Sequence, residues 1–261
     1  MKQYHIQLEQ KQLCGAEYAI LPGDPGRVPS LALAIDPDAQ RLAENREYHS
    51  YLARFHGQPI LVCSTGIGGP STSIVVEELA NLGIRYFLRV GTTGVIQERF
   101  NLGDLMITKA AVRMDGASDH YAPMPYPAVA SLRFTSDIMN AAEHLAVPYH
   151  VGIAVTSATF YPGQERYENF SHYVPRHLQG SLQEWQQLNA THYEMEAATL
   201  FTMANVFGLH AACFCGVVAH RVQGESIHPE ALAVAQQRWQ ALTVETLKQS
   251  LVRRCLIVDA D

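Results

Sequence analysis

A chain of 261 residues and 28.9 kDa can bury a sizeable core in one large α/β domain or two small ones, and we expect a single domain over 1–261. Hydrophobic residues make up 48% and charged residues 17%, with 18 Gly and 13 Pro scattered along the chain, which excludes a disordered or linker-rich polypeptide. A net charge of −6 gives no overall attraction to nucleic acid or anionic membranes, so a bound anion must meet a local site.

The N-terminal "MKQYHIQLEQ" has no apolar export signal, and no uninterrupted apolar run approaches the length of a membrane span, so a cytoplasmic protein is expected. Apolar runs then recur, each stopped by a glycine or polar turn: "YAIL" before "PGDPGR", "PILVCS" before "TGIGGPS", "RYFLRV" before "GTTG", and "AACFCGVVA" before "HRVQGE". Such runs predict buried strands. Helical spacing appears between them, over Pro70–Leu82 with Val75, Leu79 and Leu82 on one face, at Leu200, Met203, Ala204 and Phe207, and from Pro229 to about Leu251. Strands alternating with helices predict a three-layer α/β/α sandwich around a mixed, mostly parallel sheet, with ligands at the carboxyl ends of strands.

Candidate chemistry lies just after these runs. Gly23 and Arg27 of "PGDPGR" could meet an anion through a close backbone and a guanidinium fork, although, taken alone, a plain strand-to-helix turn explains them better. Arg89 sits inside an apolar strand, where a guanidinium requires either a structural carboxylate or a polar cleft. "GTTG" (91–94) reads as a flexible turn offering hydroxyls and amides. "CSTGIGGPSTS" (63–73) lacks the Lys of a P-loop and the spacing of a dinucleotide fingerprint.

Glu194 and Glu196 flank Met195 where a helix begins, which suits either sugar hydroxyls or a solvated helix N-terminus; two-carboxylate glycosidase chemistry is not established by such spacing. His220 and Arg221 end an apolar run. "FYPGQER" (160–166) is an aromatic, proline-containing turn carrying Gln164 and Arg166. The five cysteines, irregularly spaced, suit reduced thiols, and the Cys213-x-Cys215 pair is explained by a buried strand more simply than by zinc.

Taken together and in order, "PGDPGR", "CSTGIGGPSTSIVVEELANLGIR", "LRVGTTG", "FYPGQERY" and "YEMEAATL" resemble the nucleoside phosphorylase family, in its hexameric uridine phosphorylase branch, from about Gly15 to Val252. The resemblance implies phosphorolysis of a pyrimidine ribonucleoside, with phosphate as co-substrate and no organic cofactor. It implies phosphate contacts from Gly23, Arg27, Arg89 and Thr92, with Arg46 supplied by a neighbouring subunit. Ribose contacts would come from Thr93, Glu194, Met195 and Glu196, and from His5 across an interface. Gly94, Phe160, Gln164, Arg166 and Arg221 would receive the base, and Arg89, Glu196 and Arg221 would be catalytic. Glu47, Ile67 and Ser71 match positions that hold potassium between subunits, in a homohexamer built as a trimer of dimers.

Two departures stand out: His220 and Val222 occupy positions where relatives carry Asn and Thr, and the loop after them differs too, which bears on tolerance at C5 of the base or the mobility of a lid; the N-terminal segment is also shorter, which bears on the interface role of His5. A purine enzyme would place an Asp after 211–218, where "AHRVQ" stands, and the "SDH" of Ser118–His120 lies elsewhere; a nucleosidase would need no phosphate arginines. A non-catalytic nucleoside sensor would not need all three sets of contacts. Arg89→Ala is expected to abolish activity without unfolding the chain.

Overall fold

The computed structural model describes residues 1–222, Gly224 and 229–258, with 254–258 described by backbone alone. Its strands are β1 (Tyr18–Pro22), β2 (Gln40–Asn45), β3 (Tyr48–Phe55), β4 (Gln58–Cys63), β5 (Tyr86–Val95), β6 (Leu105–Met114), β7 (Ala128–Val129), β8 (Tyr149–Ser157), β9 (His192–Glu194) and β10 (His210–His220). The helices are α1 (Val28–Ile35), α2 (Gly69–Asn81), α3 (Leu132–His144), α4 (Ser181–Gln187), α5 (Ala197–Val206) and α6 (Pro229–Val258). All ten strands join one sheet. The loop after Val222, which bears on a lid, lies largely outside the described residues.

The central strands alternate between two apolar faces, because successive side chains on a strand point to opposite sides. On β1, Ala19 and Leu21 join a core with α2 and α5, while Tyr18 and Ile20 join one with α1, α3 and α6. On β10, Cys213 and Cys215 face the first core and Ala212 and Phe214 the second. Helices therefore cover both faces, as the strand–helix alternation predicts.

The ladders β5–β10 and β6–β8 are parallel, whereas β2–β3, β3–β4, β5–β9 and β6–β10 are antiparallel, so the sheet is mixed. Because β10 pairs with both β5 and β6, the strands β5, β10, β6, β8 and β9 close into a ring. Along its other edge β5 pairs with β1 as far as Val90 and with β9 from Gly94. The stretch Gly91–Thr93 spans the parting between these two neighbours and lines a cleft.

This corrects the reading of "GTTG" as a turn. Gly91, Thr92, Thr93 and Gly94 are strand residues, in register with Cys215, Gly216, Val217 and Ala219 of β10. Gly91 is needed for close packing: a side-chain carbon there would lie 2.9 Å from Cys215 Sγ and 3.0 Å from an Arg89 nitrogen.

Candidate active site

At the carboxyl ends of β1, β5 and β10 lies a cleft of about 650 Å³. Arg89 reaches it from β5 with its side chain only 5% exposed. Its Nε donates to Glu194 Oε2 at 3.1 Å, and Nη2 contacts Glu196 Oε2. Burial alone disfavours this cation, but Glu196 and Glu194 outweigh burial and raise its pKa. Nη1 is buried without a hydrogen-bond partner among the described residues. It faces the space over Gly23, where a side-chain carbon would lie 3.9 Å from it.

The two carboxylates are held differently. Glu194 accepts from Thr156 Oγ1 as well as from Arg89, and from the backbone N–H groups of Glu196 and Ala197, both at 2.8 Å. Burial, the largest influence, raises its carboxyl pKa, and Arg89, Thr156 and the Glu196 N–H offset only part of that rise. Glu196, immediately before α5, accepts from Gly68 N at 2.7 Å through Oε1, which ties it to the start of α2. Of the two readings that the sequence leaves open here, the solvated helix entry does not hold, because both carboxylates are buried.

The opposite wall comes from the loop after β8. Phe160 and Tyr161 lead into a short 3-10 turn, Pro162–Gln164, whose Gly163 N donates to Thr159 Oγ1 at 2.9 Å. The Arg166 guanidinium lies 4.3 Å from the centre of the Phe160 ring and 3.5 Å from Gln164 Oε1. Between them Glu165 takes a left-handed backbone and accepts from Gly180 N at 2.5 Å and Leu182 N at 2.7 Å, fastening the loop to the start of α4. Gln164 and Arg166 are thereby buried and held on the cleft wall.

Arg27, Thr92, Thr93, Gly94, Phe160 and Met195 complete the expected lining, with Glu47, Ile67 and Ser71 at the same cleft. Thr93 Oγ1 donates to Tyr193 O at 2.7 Å. Ser71 Oγ lies 3.3 Å from Glu47 Oε1 and also bonds Thr65 O, so three oxygen-bearing residues gather there; Ile67 is 76% exposed. Three expected residues do not line this chain's cleft. His5 is fixed to Glu78, Nδ1 to Oε1 at 2.7 Å; Arg46 is exposed in the β2–β3 turn; and Arg221 packs its stem behind Gly94 with its guanidinium 5.6 Å from the Tyr193 ring centre.

A family model described as the phosphorylase superfamily matches residues 17–256. The chain belongs to the phosphorylase superfamily. Among relatives it is 51% identical to a uridine phosphorylase of Haemophilus influenzae, covering 92% of this chain and 94% of that protein. A uridine phosphorylase of Escherichia coli is 47% identical, covering 95% and 98%. A guanosine phosphorylase of Halorubrum lacusprofundi is 37% identical, covering 85% and 86%.

The superfamily assignment leaves several residues that local motifs did not reveal. Thr156 meets Glu194 from 38 positions away, and Tyr193 lines the cleft with its hydroxyl pKa pushed up to about 12, chiefly by burial. No local pattern marks either. Cys63, Cys213 and Cys215 are buried free thiols, with 3.9 Å between the Sγ atoms of the last two, but Cys14 is exposed; the side chain of Cys255 lies outside the described residues. The "SDH" segment forms a short 3-10 turn in which Ser118 bonds Asp115 and Arg113, and it does not line the cleft. His220 is buried at the end of β10, with its Nδ1 accepting from Val222 N at 3.3 Å.

Proposed function

We propose that the cleft carries out reversible phosphorolysis of uridine, and of related pyrimidine nucleosides, to the free base and ribose 1-phosphate. The observation that carries this reading is the buried Nη1 of Arg89, a cationic donor facing open cleft while two glutamates orient the rest of the guanidinium. Phosphate takes that donor together with the backbone over Gly23, Arg27 and Thr92, and Arg46 joins from a neighbouring subunit. Ribose lies along Met195, with its 2′ and 3′ hydroxyls donating to Glu196. Glu194 contributes by fixing Arg89 and Glu196, because its carboxylate is taken up by protein donors.

A phosphate oxygen attacks C1′ from the face opposite the base, the C1′–N1 electron pair leaves with uracil, and the proton of hydrogen phosphate ends on the base. Positive charge develops on the sugar and negative charge on the base, so donors that meet the departing base lower the barrier. Gln164 accepts from N3–H and donates to a carbonyl, Arg166 adds charged donors, and Arg221, standing behind Gly94 and outside the lining, assists at the far carbonyl through water. No covalent enzyme intermediate is required. Thr93, Gly94 and Phe160 enclose sugar and base.

The same reading makes the molecule a cytoplasmic homohexamer, a trimer of dimers, with a role in nucleoside catabolism and pyrimidine salvage. His5 and Arg46 then complete a neighbour's site, which accounts for their distance from this one. Glu47, the Ile67 carbonyl and Ser71 offer hard oxygens suited to potassium at an interface. Following uridine absorbance with and without phosphate tests the reaction: uracil forms only when phosphate is present. Phosphate-independent release would make the enzyme a hydrolase, and no uracil at high enzyme concentration would overturn the proposal.

A further inference from the structure

We infer that Trp239 is the positioning residue for Arg27, holding its guanidinium in place for the anion; this rests on the phosphate role proposed for Arg27. The Arg27 Cζ lies 4.7 Å from the centre of the Trp239 ring. Its ion pair with Asp24 is a looser tie: Asp24 Oδ2 is 3.8 Å from Arg27 Nε, and the Asp24 side chain is 58% exposed. Trp239 is itself 1% exposed within the core formed by α1, α3 and α6.

Its ring fits because β10 carries a glycine beneath it. A side-chain carbon at Gly216 would lie 2.4 Å from Trp239 Nε1 and 2.5 Å from Ala235 Cβ, so the indole occupies space that any other residue there would fill. An aliphatic side chain could fill the same apolar volume without attracting a cation. The indole adds a negative ring face against which a guanidinium packs, leaving the N–H groups in the guanidinium plane free for oxygens. Burial lowers the Arg27 pKa, and the Asp24 charge opposes part of that loss. Helix α6 thus reaches the phosphate side of the cleft through one aromatic contact, although Trp239 does not line the cleft.

The test compares Trp239→Leu and Trp239→Phe in steady-state phosphorolysis, varying phosphate at saturating uridine and then the reverse. Loss of the stacked ring is expected to raise the phosphate KM about tenfold in Trp239→Leu, with kcat and the uridine KM little changed; Trp239→Phe recovers most of it. An unchanged phosphate KM, or equal rises for both substrates, overturns the assignment. Trp185→Phe leaves Trp239 as the sole tryptophan, so titration with inorganic phosphate alone reads the contact without turnover. A saturable fluorescence change that Arg27→Ala abolishes supports it, and no change overturns it even where Trp239→Leu fails to fold. Failure of the uridine reading is seen separately, as absent uracil formation beside an intact phosphate response.

Discussion

Arg89 has its charge on a strand that water barely reaches, and two glutamates make that position tolerable. Removing the guanidinium leaves two buried carboxylates without their shared counter-charge, so Arg89→Ala is expected to lose about 3–5 kcal/mol of stability as well as phosphorolysis. That revises the expectation that the truncation abolishes activity without affecting the fold, and chemical denaturation beside the assay measures both losses. Glu196→Gln keeps the shape and removes the charge that would meet the ribose hydroxyls. It should lower kcat/KM for uridine by about a hundredfold and shrink the preference over 2′-deoxyuridine, as paired progress curves would reveal.

His192 provides a second test at residue scale: burial, then the nearby Arg89 charge, lowers its pKa from 6.5 to about 3. The unfolded chain therefore binds a proton below its ordinary pKa that the native chain refuses, and stability is lost as pH falls from 6.5 toward 3. This one group contributes a slope of up to about 1.4 kcal/mol per pH unit. Denaturation midpoints should fall less steeply with acidification in His192→Gln than in the parent.

Among the elements, the loop between β8 and α4 shows how a turn becomes a binding wall. Glu165 accepts from Gly180 N and Leu182 N, which fixes the backbone between Gln164 and Arg166. Glu165→Ala should cost about 1 kcal/mol of stability and raise the uridine KM while leaving the phosphate KM nearly unchanged. Equal effects on both substrates would separate the loop from base recognition. Strand β5 makes the complementary point: its edge passes from β1 to β9, and the parting exposes Gly91–Thr93 to the cleft.

For the whole molecule, the placement of Arg46 away from its own cleft motivates a complementation test. Arg46→Ala and Gln164→Ala should each be severely impaired as homogeneous assemblies. Coexpressed, they should recover up to roughly a quarter of parental activity, because in a two-fold mixed pair one site receives both intact residues. No recovery would return Arg46 to a role within its own subunit.

The sequence by itself determined the alternation of strands and helices, the two-faced packing of β1 and β10, and the glycines and arginines gathered at strand ends. These features follow from side-chain periodicity and from the cost of burying charge, both legible along a single chain. Tertiary structure alone decided that "GTTG" stays extended, since β10 and the parting of β1 from β9 hold it so. It also decided that Glu194 serves Arg89 and that Trp239 stacks on Arg27. Those contacts join residues more than a hundred positions apart, and no local pattern encodes which distant partner the closing sheet brings within reach.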